Sequence, residues 1–443
     1  MEYLSGKVCY EKNGMYINVF NPNSWACENI VRAEIAIPRG ILSSSRYKGF
    51  YAVCGDERIR CDVEALDVRA GNIRRANIVF CTEADALAFK SYRIEGVEEH
   101  FDAEIIYDSD ANIIESKYYS VKLDGNGITN ITDKTIGKAI VNSDTGSLFK
   151  GIINGIPQCS TGKWKVRTAG KGAEAIYWGD IGGVIIIFTL NIHNDTKLLD
   201  CSVKFIHHGE RIGSEIETDT VNPTKGAFRH EDKLCFAFKP ALAGNALKMR
   251  DLPFMVSASN ADDKYIQGNY WTAVTDNTDG IAVFNKGAMC SVYENGELLI
   301  PLAYANPYIW GDRYLYGEYT HEFAIMPFSG AWHEADIHRN ALAYEYPFAV
   351  EVINRAVAQS GQAIIAPIEC ELDRNAVLSA LYSENGSIYA RIYEYEGKRA
   401  AAILKNEGMS LEECNLLGEP VSSGNANGRL NLGKYQIKSY RLK

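Results

Sequence analysis

The stretch that decides the fold runs from Leu252 to Trp332 and reads LPFMVSASNADDKYIQGNYWTAVTDNTDGIAVFNKGAMCSVYENGELLIPLAYANPYIWGDRYLYGEYTHEFAIMPFSGAW. It contains four apolar, aromatic-rich runs, at Tyr270–Val274, Gly280–Asn285, Leu298–Ala305 and His321–Pro327. Turn sequences separate these runs, among them Asn-Thr-Asp-Gly, Glu-Asn-Gly-Glu and Ser-Gly. Because Gly and Asn allow a strand to reverse direction tightly, the stretch predicts successive strands of an antiparallel sheet.

Length and composition predict a globular chain of more than one domain. A chain of 443 residues exceeds what one ordinary hydrophobic core holds, so we expect two or three domains. The 26 Tyr and 16 Phe residues favour strands over helices. The net charge of −10 is spread without basic blocks. Since nucleic acid is bound by concentrated basic surfaces, it is not expected as a partner.

The cysteines and the apolar runs indicate the compartment. The 11 cysteines are scattered, odd in number and never spaced Cys-Xaa-Xaa-Cys, which predicts free, mostly buried thiols rather than disulfides. The first residues have neither the basic start nor the apolar core of a signal peptide. The longest apolar run, Gly182–Leu190, is far shorter than the roughly 20 residues that span a bilayer. We therefore expect a soluble cytoplasmic protein without a membrane partner.

The rest of the chain also alternates apolar and polar residues as strands do. The run Met15–Phe20 is stopped by Asn-Pro-Asn, and residues 114–138 form a predicted hairpin around Asp-Gly-Asn-Gly. Long alternating runs follow at Val184–Asn191 and Leu199–His208. The segment Val350–Gln359 is compatible with a helix, but its β-branched first half is equally compatible with a strand.

Several segments resemble one enzyme family. Tyr16–Trp25, Tyr-Ile-Asn-Val-Phe-Asn-Pro-Asn-Ser-Trp, is similar to the Val-Phe-Asn-Pro-Leu-Ser-Trp hairpin of family 38 glycoside hydrolases, the retaining α-mannosidases. Asn269–Asp276, Gly280–Gly287 and His321–Trp332 resemble successive strands of their C-terminal β region, and Val377–Glu394 resembles a later hairpin. The resemblance implies an all-β chain with a small β-sandwich at 1–100, a large galactose-mutarotase-like supersandwich at 101–350 and a small C-terminal β-sandwich at 351–443.

The same resemblance implies that the chemistry belongs to another domain. Retaining glycosidases use two carboxyl groups, and these mannosidases add a zinc ion. The family's zinc ligands and nucleophile lie in an N-terminal α/β domain, in His-Xaa-Asp-Xaa-Xaa-Trp and Trp-Xaa-Xaa-Asp-Xaa-Phe-Gly-His segments. Neither full pattern occurs in this sequence. We therefore predict no catalytic residue, no metal ligand and no cofactor in this chain, and expect zinc in the catalytic domain.

The histidines offer weaker alternatives. Three bare His-Xaa-Asp triplets, at His100, His193 and His230, supply two ligands each, which do not hold zinc firmly, so turn hydrogen bonding is favoured. Adjacent His207 and His208 would face opposite sides of a strand. The alternation of Glu334, Asp336 and His338 would place these three side chains on one strand face, either as a metal site or, as we favour, a solvated face or loop.

The loop Trp310–Tyr316 is the preferred ligand surface. Aromatic rings stack on sugar rings, and Asp and Arg bind vicinal hydroxyls through paired hydrogen bonds. We predict that Trp310, Asp312 and Arg313, together with His321, bind substrate, with packing of these aromatics in a core or a domain seam as the favoured alternative. His321 with Glu318 or Glu322 also resembles the acid–base pair of sugar mutarotases, although neighbours 321 and 322 would point apart.

These predictions combine into a functional hypothesis. The resemblance, and the Met just ahead of the first sandwich, imply the noncatalytic β half of an α-mannosidase, inactive alone and docked on a zinc-bearing catalytic domain or subunit. The expected ligands are mannose-containing glycans. The alternative is a free-standing carbohydrate-binding β-sandwich protein. A mutarotase-like epimerase is a third hypothesis, and self-association is left open.

Overall fold

Strands dominate the chain in the computed structural model, which describes residues 2–37, 47–69, 72–142, 148–213, 232–242, 246–304, 314–405, 410–426 and 428–442. The first elements are α1 (Glu2–Ser5), β1 (Tyr16–Phe20), β2 (Cys27–Ala36), β3 (Gly49–Cys54), β4 (Glu57–Arg69), β5 (Asn72–Ala84) and β6 (Phe89–Val97). The all-β fold class predicted from the sequence is confirmed.

The central part of the chain contributes twenty strands. They are β7 (Ile106–Asp108), β8 (Ile113–Glu115), β9 (Tyr119–Asp124), β10 (Gly127–Asp133), β11 (Lys138–Asn142), β12 (Phe149–Ile153), β13 (Ile156–Cys159), β14 (Thr161–Ala169), β15 (Gly172–Ile181), β16 (Val184–His193), β17 (Leu199–Arg211), β18 (Lys233–Phe238), β19 (Leu247–Leu252), β20 (Met255–Ala258), β21 (Tyr265–Gln267), β22 (Trp271–Thr275), β23 (Asp279–Asn285), β24 (Cys290–Glu294), β25 (Glu297–Tyr304) and β26 (Tyr314–Ser329). The four strands predicted between 252 and 332 correspond to β22, β23, β25 and β26.

The last part begins with the helix α2 (Ile337–Glu345). The strands that follow are β27 (Ala349–Ile353), β28 (Ile364–Ile365), β29 (Glu369–Leu372), β30 (Ala376–Glu384), β31 (Ser387–Glu394), β32 (Ala400–Lys405), β33 (Leu411–Cys414), β34 (Pro420–Ala426), β35 (Arg429–Leu432) and β36 (Ile437–Leu442). The first part of the ambiguous segment Val350–Gln359, up to Ile353, is thus a strand, and β27 pairs antiparallel with β1 from Ala349↔Phe20 to Ile353↔Tyr16.

Within the described residues, these strands form six sheets. The first is eight-stranded, in the order β2-β5-β4-β3-β6-β1-β27, with β28 added to β6. The central part of the chain forms three sheets. The nine-stranded sheet has the order β14-β15-β16-β17-β26-β23-β22-β19-β20. The six-stranded sheet has the order β13-β12-β18-β25-β24-β21, and the five-stranded sheet the order β11-β10-β9-β8-β7. The C-terminal part has a three-stranded sheet, β29-β32-β35, and a five-stranded sheet, β30-β31-β36-β33-β34.

The large core lies between the nine-stranded sheet and the two sheets that cover it. Phe149 of the six-stranded sheet contacts Phe188 and Phe205 of the nine-stranded sheet, with ring centroids 5.7 and 6.1 Å apart. Strand β16 shows why these residues fold this way, because its alternate side chains Val184, Ile186 and Phe188 are fully buried. Two sheets packed face to face bury alternate residues in this manner.

Contacts along the chain group it into two compact units. Unit 1 comprises Met1–Asp102, Leu252–Val256 and Leu342–Lys443, and unit 2 comprises Ala103–Asp251 and Ser257–Ala341. Unit 1 holds separate hydrophobic cores, one around Phe50 and Tyr92 and another around Ile392 and Leu404. Unit 2 contains the aromatic core described above. The division into three domains at residues 1–100, 101–350 and 351–443 stays a prediction.

The segment after Trp332 differs from its prediction. Glu334, Asp336 and His338 were expected on one strand face, but residues 337–345 form α2 and Asp336, with φ of 53°, lies in the turn before it. The strand-face alternative was wrong because period-two alternation in a short polar segment does not distinguish a strand from a turn leading into a helix. The loop alternative agrees with the turn that contains Glu334 and Asp336.

Candidate functional site

The candidate site lies at one end of the β17–β26 strand pair in unit 2. The antiparallel register places Val203 opposite His321, Phe205 opposite Tyr319 and His207 opposite Gly317. Directly opposed residues share one face of a sheet. Val203 and Phe205 are buried in the large core, so His207, Tyr319 and His321 lie on the inner face of the nine-stranded sheet.

His207 is almost completely buried and has a carboxylate beside it. His207 is 3% exposed. Its Nδ1 lies 3.6 Å from Oε2 of Glu210. The same oxygen accepts a hydrogen bond from the backbone N–H of His208 at 2.7 Å. Burial lowers the pKa of His207, and the Glu210 carboxylate partly opposes that change. The imidazole is therefore neutral near pH 7 and available as a hydrogen-bonding group.

His321 lies further along the same face and is half-buried. Its ring centroid is 6.0 Å from that of Phe205, in an edge-to-face arrangement. Burial lowers the pKa of His321, and a hydrogen bond with the Leu302 backbone acts in the opposite direction. Glu322 lies on the other face, 3.8 Å from the Lys286 ammonium. The expectation that residues 321 and 322 point apart is confirmed.

The site becomes open towards the start of β26. Tyr319 is 44% exposed, and its ring centroid is 5.7 Å from that of His207. Tyr316 and Tyr314 are 62% and 51% exposed. Tyr316 stands opposite His208, so it lies on the face away from His207 and is not part of the inner-face site. Tyrosine rings with an exposed face can stack on sugar rings. Tyr314 and Tyr316, part of the predicted loop, are therefore not packed in the core.

The four predicted substrate-binding residues fare differently. Trp310, Asp312 and Arg313 lie outside the described residues. His321 is placed on the inner face beside Phe205. The sequence argument missed His207 with Glu210, and Tyr319. The signal was present in the alternation of β17, in which residues 201, 203, 205 and 207 are buried and His208 is exposed.

Two of the other histidines, His193 and His338, make structural hydrogen bonds. Nδ1 of His193 accepts a hydrogen bond from the backbone N–H of Asp195 at 3.2 Å, which confirms turn bonding for that triplet. His230 lies outside the described residues. His338 is 2% exposed, and its Nδ1 accepts a hydrogen bond from the Trp271 indole N–H at 3.1 Å. Burial lowers the pKa of His338 to about 3.

Zinc does not fit the side chains that the structure describes. Among them, no group of three or more His, Cys, Asp or Glu residues is placed to hold a metal ion. Near His207 the donor set is one imidazole and one carboxylate, Glu210, whereas protein zinc sites use three or four ligands. Glu318 lies on the opposite face, paired with Lys204. Neutral imidazole, carboxylate and phenol groups in this arrangement suit recognition of hydroxyl groups.

The chain is similar to proteins of one glycoside hydrolase family in sequence model and in fold. Residues 375–440 match the model of the glycosyl hydrolases family 38 C-terminal beta sandwich domain. The crystal structure of an alpha-mannosidase from Enterococcus faecalis V583 aligns with 100% of this chain at a TM-score of 0.70 and 12% identity. A protein in glycosyl hydrolase family 38 from Enterococcus faecalis aligns over 100% of the chain at a TM-score of 0.72 and 12% identity. The resemblance to the C-terminal β region of this family is therefore confirmed.

The chain is shorter than these proteins. It spans 58% of the first structure and 60% of the second. At this identity the alignment establishes a common fold. No curated protein matches the chain at the level of sequence. None of the helices in the described residues is long and apolar enough to cross a membrane.

Proposed function

We propose that this chain forms the noncatalytic β part of an α-mannosidase. The observation that supports the proposal most is the combination of the family match at 375–440 with a fold that aligns end to end with a longer alpha-mannosidase. Hydrolysis of α-mannosides then requires a zinc-bearing catalytic α/β domain or subunit as partner. In this chain the role of the inner-face site is to hold mannose-containing glycans.

The chemistry of the site supports glycan binding rather than bond cleavage. A neutral imidazole offers one N–H donor and one acceptor nitrogen, which suits a sugar hydroxyl. His207 and His321 are both kept neutral by burial, which lowers the pKa of each. Tyr319 presents ring surface for the apolar face of a sugar. Cleavage needs a nucleophile and an acid on either side of the glycosidic bond.

Reconstitution of activity tests the catalytic part of the proposal. The purified chain is assayed on an aryl α-mannoside with added zinc, alone and together with the polypeptide encoded immediately upstream. We expect hydrolysis only in the combined sample, because the combined sample alone contains a catalytic domain. Zinc-dependent turnover by this chain alone would refute the proposal.

A second candidate is a free-standing carbohydrate-binding protein, which the exposed tyrosines at the start of β26 favour. Calorimetry with mannose oligomers tests it on the chain alone. We expect saturable binding that Trp310→Ala and Tyr319→Ala each weaken. Tyr346→Ala, at a residue that is 47% exposed in unit 1, is the matched control and should leave binding unchanged. Equal weakening by the control variant would remove the assignment of this surface.

The cytoplasm is the proposed compartment. All 11 cysteines are free in the structure, five of them exposed or half-buried. In an oxidising compartment, exposed thiols such as those of Cys9 and Cys159 form mixed or intermolecular disulfides. A thiol titration of protein purified without reductant should therefore give free thiols throughout if the chain resides in a reducing compartment.

A further inference from the structure

A second polar cavity lies in unit 2, apart from the inner-face site. It is an open cleft of about 550 Å³ formed where β7 and β8 meet the turns that follow β14 and β16. We call it the Asn194 cleft, and its lining includes Glu104, Ile106, Glu115, Lys134, Lys171 and Asp195 around Asn194. Its volume is within the range of sites for small organic ligands, about 300–1,000 Å³.

Asn194 is the fixed polar group at the base of the cleft. It is 6% exposed, and its Oδ1 accepts a hydrogen bond from the Lys117 backbone N–H at 2.7 Å. Its Nδ2 donates to Oε2 of Glu104 over a longer distance of 3.4 Å. The backbone N–H of Asn194 donates to the Lys171 carbonyl at 2.9 Å. Because Nδ2 carries two hydrogens, the amide keeps donor capacity for a ligand hydroxyl.

The charged groups of the cleft compensate one another. The Lys171 ammonium lies 3.0 and 2.9 Å from the two carboxylate oxygens of Asp195. Glu115 pairs with Lys134 and accepts a hydrogen bond from the Ser120 hydroxyl at 2.6 Å. Such pairs hold each carboxylate in one orientation while leaving oxygen lone pairs for further hydrogen bonds. A compensated lining does not favour a strongly charged ligand of either sign.

One wall of the cleft is apolar. Ile106 is 64% exposed, although it stands directly opposite Glu115 in the β7–β8 pair. An exposed isoleucine beside fixed amide and carboxylate groups gives the cleft both an apolar and a polar side. A pyranose has the matching character, since one face carries C–H groups and the edges carry vicinal hydroxyls.

We propose that the Asn194 cleft is a second glycan-binding site, which takes a neutral hexopyranose unit. Asn194 and Asp195 bind vicinal hydroxyls, Lys171 holds Asp195 in place, and Ile106 covers the apolar face of the sugar. The choice of a mannose-type sugar rests on the proposed function, whereas the neutral, hydroxyl-rich class follows from the lining itself. The His193-Asn-Asp195 triplet thereby supplies binding groups to a cleft instead of metal ligands.

Methyl-resolved NMR on the full chain tests the proposal. Isoleucine methyl groups are labelled, and methyl α-mannopyranoside is titrated to high millimolar concentration. We expect the Ile106 methyl signal to shift and saturate, while that of Ile156, which is 60% exposed in the same unit and outside the cleft, stays in place. A constant Ile106 signal would overturn the proposal. A larger shift with inorganic phosphate than with the mannoside would overturn the assignment to a neutral ligand.

Variants locate the effect in the cleft. Asp195→Asn is nearly isosteric and should raise the mannoside concentration at half-saturation by at least about tenfold, since a carboxylate acceptor is lost. Glu174→Gln, which removes an exposed ion pair with Arg167 of 2.8 Å, is its matched control. Ile106→Ser and its control Ile156→Ser change exposed side chains, so both are expected to fold. If Ile106→Ser leaves calorimetric binding unchanged, the apolar wall has no role and the proposal fails.

The outcome is separable from the proposed function. If the Ile106 signal responds to mannoside but hydrolysis is not reconstituted, glycan binding in the Asn194 cleft is supported and the α-mannosidase proposal is contradicted. If hydrolysis is reconstituted while the Ile106 signal stays constant, the cleft proposal alone falls.

Discussion

The two ends of the β17–β26 strand pair share one antiparallel ladder but differ in the burial of their inner-face side chains. At one end Leu199 faces Ile325, and both are buried in the aromatic core. At the other end His207 faces Gly317, and the inner face passes from buried Phe323, at 1% exposure, through His321 to Tyr319 at 44%. The inner-face side chains of one continuous ladder thus pack in the core at one end and form the candidate ligand surface at the other. Substitutions at the two ends should separate these roles.

The largest effect is expected in the core end. Phe236 is 1% exposed, with ring centroids 5.6 Å from Phe149, 5.4 Å from Phe188 and 5.1 Å from Phe323. Phe236→Ala should lower the free energy of unfolding of unit 2 by about 3–5 kcal/mol, because it removes packing and leaves a cavity. Denaturant titration measures it. A loss as small as that of Ile156→Ala, at a residue of unit 2 that is 60% exposed, would contradict the assignment of this core.

Next in size is a pH effect from the buried histidine of α2, His338. The pKa of His338 is about 3 in the folded chain because of burial, whereas an unfolded histidine has about 6.5. The unfolded chain therefore binds more protons below pH 6.5, and stability falls as pH decreases from there. We expect a loss of about 1.4 kcal/mol per pH unit, or about 2 kcal/mol at pH 5, that His338→Gln removes.

Asp251 supplies a control of opposite sign. Burial raises the pKa of its carboxyl to about 6, although hydrogen bonds from the Trp271 and Tyr270 backbone N–H groups act to lower it. The folded chain then holds this proton more tightly than the unfolded chain, so stability rises as pH falls through about 6. The free energy of unfolding is measured against pH for wild type and for Asp251→Asn. The difference between the two should rise as pH falls, opposite in sign to the His338 effect. If the His338 and Asp251 contributions to stability changed with pH in the same direction, one of the two burial environments would be misassigned.

A smaller effect is expected at the open end, where Gly317 adopts φ of 101° and has open space where a Cβ would stand. Gly317→Ala should cost about 1–2 kcal/mol of unfolding free energy, through backbone strain alone. Gly287→Ala is closely matched, since Gly287 has φ of 100° and equally open space. We expect equal destabilisation of the two variants by thermal unfolding. Only Gly317→Ala, which adds a methyl group opposite His207, should alter mannose-oligomer binding.

The smallest stability effect belongs to the exposed tyrosines. Tyr316 is 62% exposed, so Tyr316→Ala should change the unfolding free energy by no more than about 0.5 kcal/mol. Calorimetry should show unchanged mannose-oligomer binding by the same variant, because Tyr316 stands opposite His208 on the face away from His207. If Tyr316→Ala instead destabilises the chain as strongly as Phe236→Ala, the open end is part of the core and the contrast between the two ends disappears.

The sequence predicted the strands well because their pattern is local. Alternation at Val184–Asn191 and Leu199–His208, with Gly and Asn at the reversals, is enough to predict β16, β17 and the hairpins. The helix α2 was missed, since the turn with Asp336 before it imitates strand alternation. His207 was considered only as a metal ligand, and its carboxylate partner Glu210 was overlooked.

By itself, then, the sequence determined the fold class and the family resemblance, because turn chemistry and period-two alternation act between neighbours along the chain. The tertiary structure alone decided which polar residues meet. Asn194 reaches the backbone of Lys117 across 77 positions, and Trp271 reaches His338 across 67. The physical reason is that a hydrogen bond depends on distance in space, and antiparallel pairing brings together residues whose separation along the chain carries no local signal.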